Sequence, residues 1–294
     1  MNPRDARSSI VVARDRELHA RLVELARSPR MVFVAGLPGT GKSLVIHQLA
    51  HLAAAAGRVV HLFQWDVVRP VFEAGATGRR YPQVDGVTHA MVRKAVGLWA
   101  RRAVVEWARR CAAAEHLLIG EAPFVGGRLI ELARPADDAA EPLLTAPSCR
   151  FALPVPSAEV RRHLEAERDR RTATPVHPRE REDAPPQVLR DLWRELVGVA
   201  RALGIVDVLR GDGAPYDPSL YRRVYAAVLR YRHVDVIELE TVLPTATLSV
   251  YEFAVSCAEL VPREEEAAAA VREAEALHPD TAALARDVER WWDV

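Results

Sequence analysis

Eight residues constrain this chain more than any others. Gly36-Leu37-Pro38-Gly39-Thr40-Gly41-Lys42-Ser43 fits the pattern G-x-x-x-x-G-K-[S/T]. An apolar run, Met31-Val32-Phe33-Val34-Ala35, precedes it and reads as a short buried strand, and residues 44–56 after it read as a helix. A strand that turns sharply into a helix through glycines is a phosphate-binding loop in an α/β protein. Glycines let backbone amides wrap a phosphate chain without Cβ clashes, and the helix start adds its positive dipole end. Phosphate contacts are expected from Gly36, Pro38, Gly39, Thr40, Gly41, Lys42, Ser43 and Leu44. Lys42 is expected to face solvent at the helix start and reach the β- and γ-phosphates, with the Ser43 hydroxyl as a ligand of Mg²⁺. Lys42 and Lys94 are the only lysines in a chain with 40 basic residues. A sequence that uses Arg almost everywhere still has Lys at this position.

Composition narrows the remaining choices. The 294 residues hold one large or two modest domains, and a hydrophobic content of 49% is ample for a buried core. Forty basic and 40 acidic residues cancel, so no global charge argues for nucleic acid or an anionic membrane. No apolar run reaches the length of a membrane span, and residues 1–9 are polar with no signal-peptide core. Cys111, Cys149 and Cys257 are scattered and odd in number, which points to reduced thiols in a cytoplasm and away from a disulfide frame or a zinc site.

Along the chain, helix and strand alternate, as in a parallel sheet covered on both faces. Residues 12–26 read as an amphipathic helix, 58–63 as a second strand and 75–86 as a glycine-containing loop. Residues 87–115 read as a long helix carrying Trp99 and Trp107 on an apolar stripe, and 116–120 as a third strand. Residues 135–147 read as an exposed loop and 150–154 as a fourth strand. Ser157 is expected to cap a charged helix running to Arg171, and 172–186, with four prolines, to form a mobile excursion. Helices over 187–203 and 219–231, a fifth strand over 234–239, a helix over 248–260 and two short helices within 263–292 complete the reading. His89, His116, His163 and His177 show no metal-ligand spacing. Arg101-Arg102 and Arg109-Arg110 share a helix face that reads as solvated.

Three further groups carry chemistry. Asp66 and Arg69 follow the second strand, where a carboxylate sits beside the loop and an arginine three residues on can pair with an anionic acceptor. Asp66 as a helix cap is the alternative. Glu121 ends the third strand, and Arg128 follows. After the fourth strand, Arg161, Arg168 and Arg171 recur at helical spacing on one face, with Arg162 beside it. An ordinary solvated helix paired through Glu165, Glu167 and Asp169 is the alternative there.

With its phosphate loop, Asp66 and Arg69, the chain resembles the P-loop small-molecule kinases: adenylylsulfate kinases, polynucleotide kinases and zeta-toxin-like kinases. The resemblance implies a doubly wound parallel five-stranded sheet of order 2-3-1-4-5, with a lid insertion over about 156–186. It also implies a kinase-like domain over 1–260 and a helical C-terminal extension over 261–294. The implied activity is transfer of the γ-phosphoryl group of ATP, with Mg²⁺, to a hydroxyl or phosphate of a small molecule or nucleotide. Lys42, Asp66, Arg69, Glu121, Arg161 and Arg168 are the implied catalytic residues, Ser43 the metal ligand, and the 241–245 loop the adenine contact. A nucleic-acid acceptor is less favoured. A different class, a regulatory ATPase switch, is suggested by the helix before the first strand, whose Arg16-Glu17-Leu18 resembles the lead-in of AAA and STAND ATPases. No Asp-Glu pair follows the third strand to support it.

Overall fold

The computed structural model describes residues 10–206, 213–245 and 248–294. Six strands form one all-parallel sheet: β1 Met31–Ala35, β2 Val59–Phe63, β3 His116–Ala122, β4 Cys149–Pro156, β5 Val234–Leu239 and β6 Cys257–Glu259. Their order is β5-β4-β1-β3-β2-β6. The expected five-strand order is therefore present and is extended by a sixth strand outside β2. Cys257, Ala258 and Glu259 pair with Val60, His61 and Leu62, inside a stretch expected to be helical. Three residues without β-branched side chains carry almost no strand signal. Their pairing is decided by the open edge of β2, whose unpaired backbone groups they satisfy.

Strand residues alternate between two apolar layers, as the two-residue period of a strand requires. Val32 and Val34 belong to one layer with Leu117, Ile119 and Ile237, packed with helices α1 (Arg16–Arg27) and α2 (Lys42–Ala55). Met31, Phe33 and Ala35 belong to the other with Phe63, Leu118 and Phe151. The helix expected over 12–26 begins at Arg16, because Asp15 breaks it and caps α1 by accepting from the Leu18 amide. Two one-turn segments were not foreseen. Gly75–Arg80 (α4) follows α3 (Trp65–Glu73), and Glu141–Leu144 (α6) lies beyond α5 (Ala90–Arg110), buried through Leu144.

The 172–186 excursion is held by specific partners. It follows α7 (Ala158–Ala173), capped by Ser157 as expected, its hydroxyl accepting from the Val160 amide. Arg171 is buried and donates to Glu167, to Glu180 and to the carbonyls of Thr245 and Leu248. Glu180 is also buried, and it accepts from Ser249 Oγ at 2.9 Å. Prolines and charge describe a stretch with little apolar surface, but a buried ion pair can hold such a stretch when its hydrogen bonds are complete.

Helices α8 (Pro186–Ala202), α9 (Pro218–Val228), α10 (Glu264–Leu277) and α11 (Thr281–Glu289) complete the chain. The C-terminal helices share the larger apolar layer with the sheet. Trp291 is fully buried, donates from its indole N–H to Glu195 at 3.1 Å and packs on Tyr225. Trp291→Ala is expected to cost about 3 kcal/mol of unfolding free energy, the lower end for a buried Trp truncation. Chemical denaturation checks it; a change below about 0.5 kcal/mol, the range of a surface site, would show that this terminus adds nothing to the core. Among the described residues no helix is long and apolar enough to cross a membrane.

Candidate functional site

The loop lies at the C-terminal end of β1, the central strand flanked by β3 and β4. Ligands of open α/β sheets bind in the crevice outside the carboxyl ends of the strands. Gly41 caps α2 at φ +88°, a conformation that strains any L side chain. A Cβ there would also stand 2.8 Å from Leu239 Cδ1. Val45 is the residue whose amide first closes on the loop, donating to Gly41 O at 3.0 Å. The amides before it belong to the open first turn of the helix. Thr40 is fully buried and donates to Leu37 O at 2.8 Å, which braces the loop from within.

Lys42 departs from the solvent-facing expectation. It is only 6% exposed, donates to Leu37 O at 3.1 Å and lies 3.7 Å from Glu121 Oε1. The register explains this. Glu121 pairs with Val34 across β1 and β3, two residues before the loop begins. Burial pushes the Lys42 ammonium down and the Glu121 carboxyl up, each toward its neutral form, while their mutual attraction opposes both shifts. Glu121 also accepts from the Trp65 amide at the start of α3. This contact joins the end of β3 to the helix that carries Asp66.

Asp66 is exposed in the first turn of α3, and its side chain does not cap that helix, which starts after Gln64. It lies within electrostatic reach of Lys42, Glu121 and Arg128. Arg128 stacks over the Trp65 ring at 5.9 Å, and burial pushes its guanidinium down. Arg69, one turn beyond Asp66, pairs with Glu73 at 2.8 Å, and Glu73 in turn accepts from Thr88 and Gln83. Arg69 is therefore held by its own helix, with Arg128 the nearer arginine to Asp66's neighbours.

The three helix-face arginines separate. Arg161 is 2% exposed, pairs with Glu165 and donates to Pro38 O at 3.0 Å, so it grips the loop itself. Arg168 lies close enough to Lys42 to depress it, pairs with Asp183 at 3.0 Å and has no partner for its buried Nη1 among the described residues. Arg171 points to the carbonyls of Thr245 and Leu248 instead. Arg162 donates to Ala158 O on its own helix.

A cavity of about 340 Å³ is lined by the 241–245 loop together with Arg14, His163 and Glu167. That loop follows Leu239 in the chain, and the Leu239 side chain approaches Gly41.

The tyrosines around the loop were missed. Tyr221 is fully buried; its hydroxyl accepts from the Leu37 amide at 3.3 Å and bonds Thr40. Tyr216 lies under Arg161, whose guanidinium is 5.5 Å from the ring. Tyr216 precedes the Asp217 cap of α9 and Tyr221 lies in its first turns; nothing in their spacing marks them as braces for a phosphate loop. Trp99, Trp107 and Trp193 are buried in the core as expected.

Two histidines and a cysteine distant in sequence meet in space. His61, Cys111 and His116 converge although no sequence spacing announces it, because β2 and β3 lie side by side and the end of α5 returns to them. Of the arginine face on α5, Arg101 is buried in pairs with Asp138 and Glu141, while Arg102, Arg109 and Arg110 line a cavity of about 950 Å³. Comparison of the chain with protein-family models, with curated proteins and with solved structures finds no match.

Proposed function

We propose that the protein is an ATP-dependent phosphotransferase of the P-loop kinase type, acting on a hydroxyl or phosphate of a small molecule or nucleotide. The observation that carries this reading is the position of Lys42. It is buried at the carboxyl edge of the central strands, at the start of α2, and is surrounded by Glu121, Arg168, Asp66 and Arg128. Such a cluster suits a transferring phosphoryl group, which needs positive charge around its oxygens and a carboxylate beside the attacking group.

In this reading the loop amides and Lys42 bind the phosphates, and Lys42 exchanges its contact with Leu37 O for a phosphate oxygen. Arg161 and Arg168 neutralise charge that builds on the transferring group. Asp66 orients the acceptor hydroxyl and accepts its proton. The adenine occupies the cavity formed by the 241–245 loop, which has the mixed polar and apolar lining a base requires. Ser43 and Glu121 offer hard oxygen donors of the kind Mg²⁺ takes and would hold it there. When bound, Mg²⁺ supplies further neutralisation of phosphate charge.

Asp66 also separates this reading from a regulatory ATPase switch. An exposed carboxylate near Lys42, not engaged as a cap, supports an acceptor site. The test is ADP release measured against a panel of hydroxyl and phosphate acceptors. Acceptor-dependent ADP release is expected; hydrolysis that no acceptor stimulates would favour the switch.

The 156–186 segment is proposed as the lid over the phosphates. Nucleotide with Mg²⁺ is expected to slow hydrogen exchange there. Arg161→Ala combined with Arg168→Ala is expected to lower turnover by about 100-fold while nucleotide affinity changes less. Equal exchange with and without nucleotide, together with full activity of the double variant, would remove the lid from the mechanism.

A further inference from the structure

His61, Cys111 and His116 meet toward the N-terminal end of the parallel strands, whereas the phosphate loop follows the C-terminal end of β1. His61 comes from β2, His116 opens β3, and Cys111 caps the C-terminus of α5. His61 Nε2 lies 3.0 Å from His116 Nδ1 and 3.8 Å from Cys111 Sγ. The three donor atoms all fall within 4.8 Å of one another. Each residue is half-buried, and His61 and Cys111 line the cavity of about 950 Å³.

The geometry points to a zinc site with three protein ligands, His61, Cys111 and His116, and a fourth position open to that cavity. Tetrahedral Zn²⁺ with ordinary bond lengths places two nitrogens about 3.3 Å apart and a nitrogen about 3.6 Å from a sulfur. The observed separations of 3.0 and 3.8 Å differ from those edges by amounts that small side-chain rotations absorb. Two imidazoles and a thiolate are borderline-soft donors, which select Zn²⁺ over Mg²⁺.

The backbone around the site is fixed by charged partners. Arg30 donates to the carbonyls of Cys111 and Ala112, and Arg58 donates to the carbonyl of His116 at 2.9 Å. Trp107 packs edge-on against His61. These contacts order the residues that bear the ligands, as outer-shell partners do in metal sites. The guanidinium groups of Arg30, Arg58 and Arg110 stand near and oppose a bare cation. The thiolate offsets one of the two charges of the ion, and a fourth ligand that is anionic would offset the other. The proposal does not depend on the phosphotransferase reading.

The experiment uses the full chain, stripped of metal with a chelator and titrated with Co²⁺ and then Zn²⁺. One equivalent of Co²⁺ is expected to produce a thiolate charge-transfer band and the visible bands of a tetrahedral site, both abolished by one equivalent of Zn²⁺. Cys111→Ser is expected to remove the charge-transfer band, and His61→Ala and His116→Ala each to weaken binding at least about 10-fold. Circular dichroism establishes that each variant is folded. Should Cys111→Ser fail to fold, alkylation of the unmodified chain gives the same answer. Zn²⁺ is then expected to protect Cys111 and leave the half-buried Cys257 reacting at its metal-free rate. A charge-transfer band that survives Cys111→Ser, no band at all, or alkylation of Cys111 indifferent to Zn²⁺ would each overturn the site.

Discussion

Lys42→Ala is expected to lower phosphoryl transfer by about 10³-fold or more, the scale for removing a cation that meets charge in the transition state. The effect has a second part that the burial of Lys42 dictates. Without the ammonium 3.7 Å away, Glu121 keeps its burial and loses its counter-charge. Its carboxyl, already pushed up, moves higher still in the folded state. A group whose folded-state value lies above its unfolded value adds stability at low pH and loses it as pH rises through the folded value. The variant is therefore expected to be closest to the parent in stability at acidic pH and to fall behind it toward neutral pH. Adding Glu121→Gln should remove that pH-dependent loss without restoring transfer. Denaturation across pH separates the two effects, and undiminished turnover in Lys42→Ala would dismiss the loop as the active site.

The second large effect is expected at Asp66. Asp66→Asn keeps the size of the side chain and its place in the first turn of α3, but removes the charge and most of the basicity. Turnover should fall by more than about 100-fold, within the range carried by general-base or orienting carboxylates. Affinity for ATP should change little, since Asp66 is exposed and faces the acceptor side in the proposed reading. Nucleotide binding is measured by calorimetry and turnover by ADP release. If ATP binding collapses while the protein stays folded, Asp66 serves the phosphates or their metal and the acceptor assignment fails.

Much of the architecture was legible in the residues because it rests on local rules. The β1–loop–α2 unit follows from an apolar run, three glycines and a helix-compatible tail, and β1 and β5 fall on the expected residues. Ser157 caps α7 through a contact three residues away, which is local by nature. The sixth strand, the burial of Lys42 and the tyrosines beneath the loop were not legible. Each depends on a partner distant in the chain: β2 for Cys257–Glu259, Glu121 for Lys42, and Leu37 with Thr40 for Tyr221. The face-sharing arginines of α7 show the division within one helix. Helical spacing correctly places Arg161, Arg168 and Arg171 along one side. Only the packing of that side sends Arg161 to Pro38 O, Arg168 toward Lys42 and Arg171 to the carbonyls of Thr245 and Leu248. Periodicity determines which direction a side chain leaves its helix. What it meets there is set by strand order and register, which bring residues far apart in sequence to within hydrogen-bonding distance.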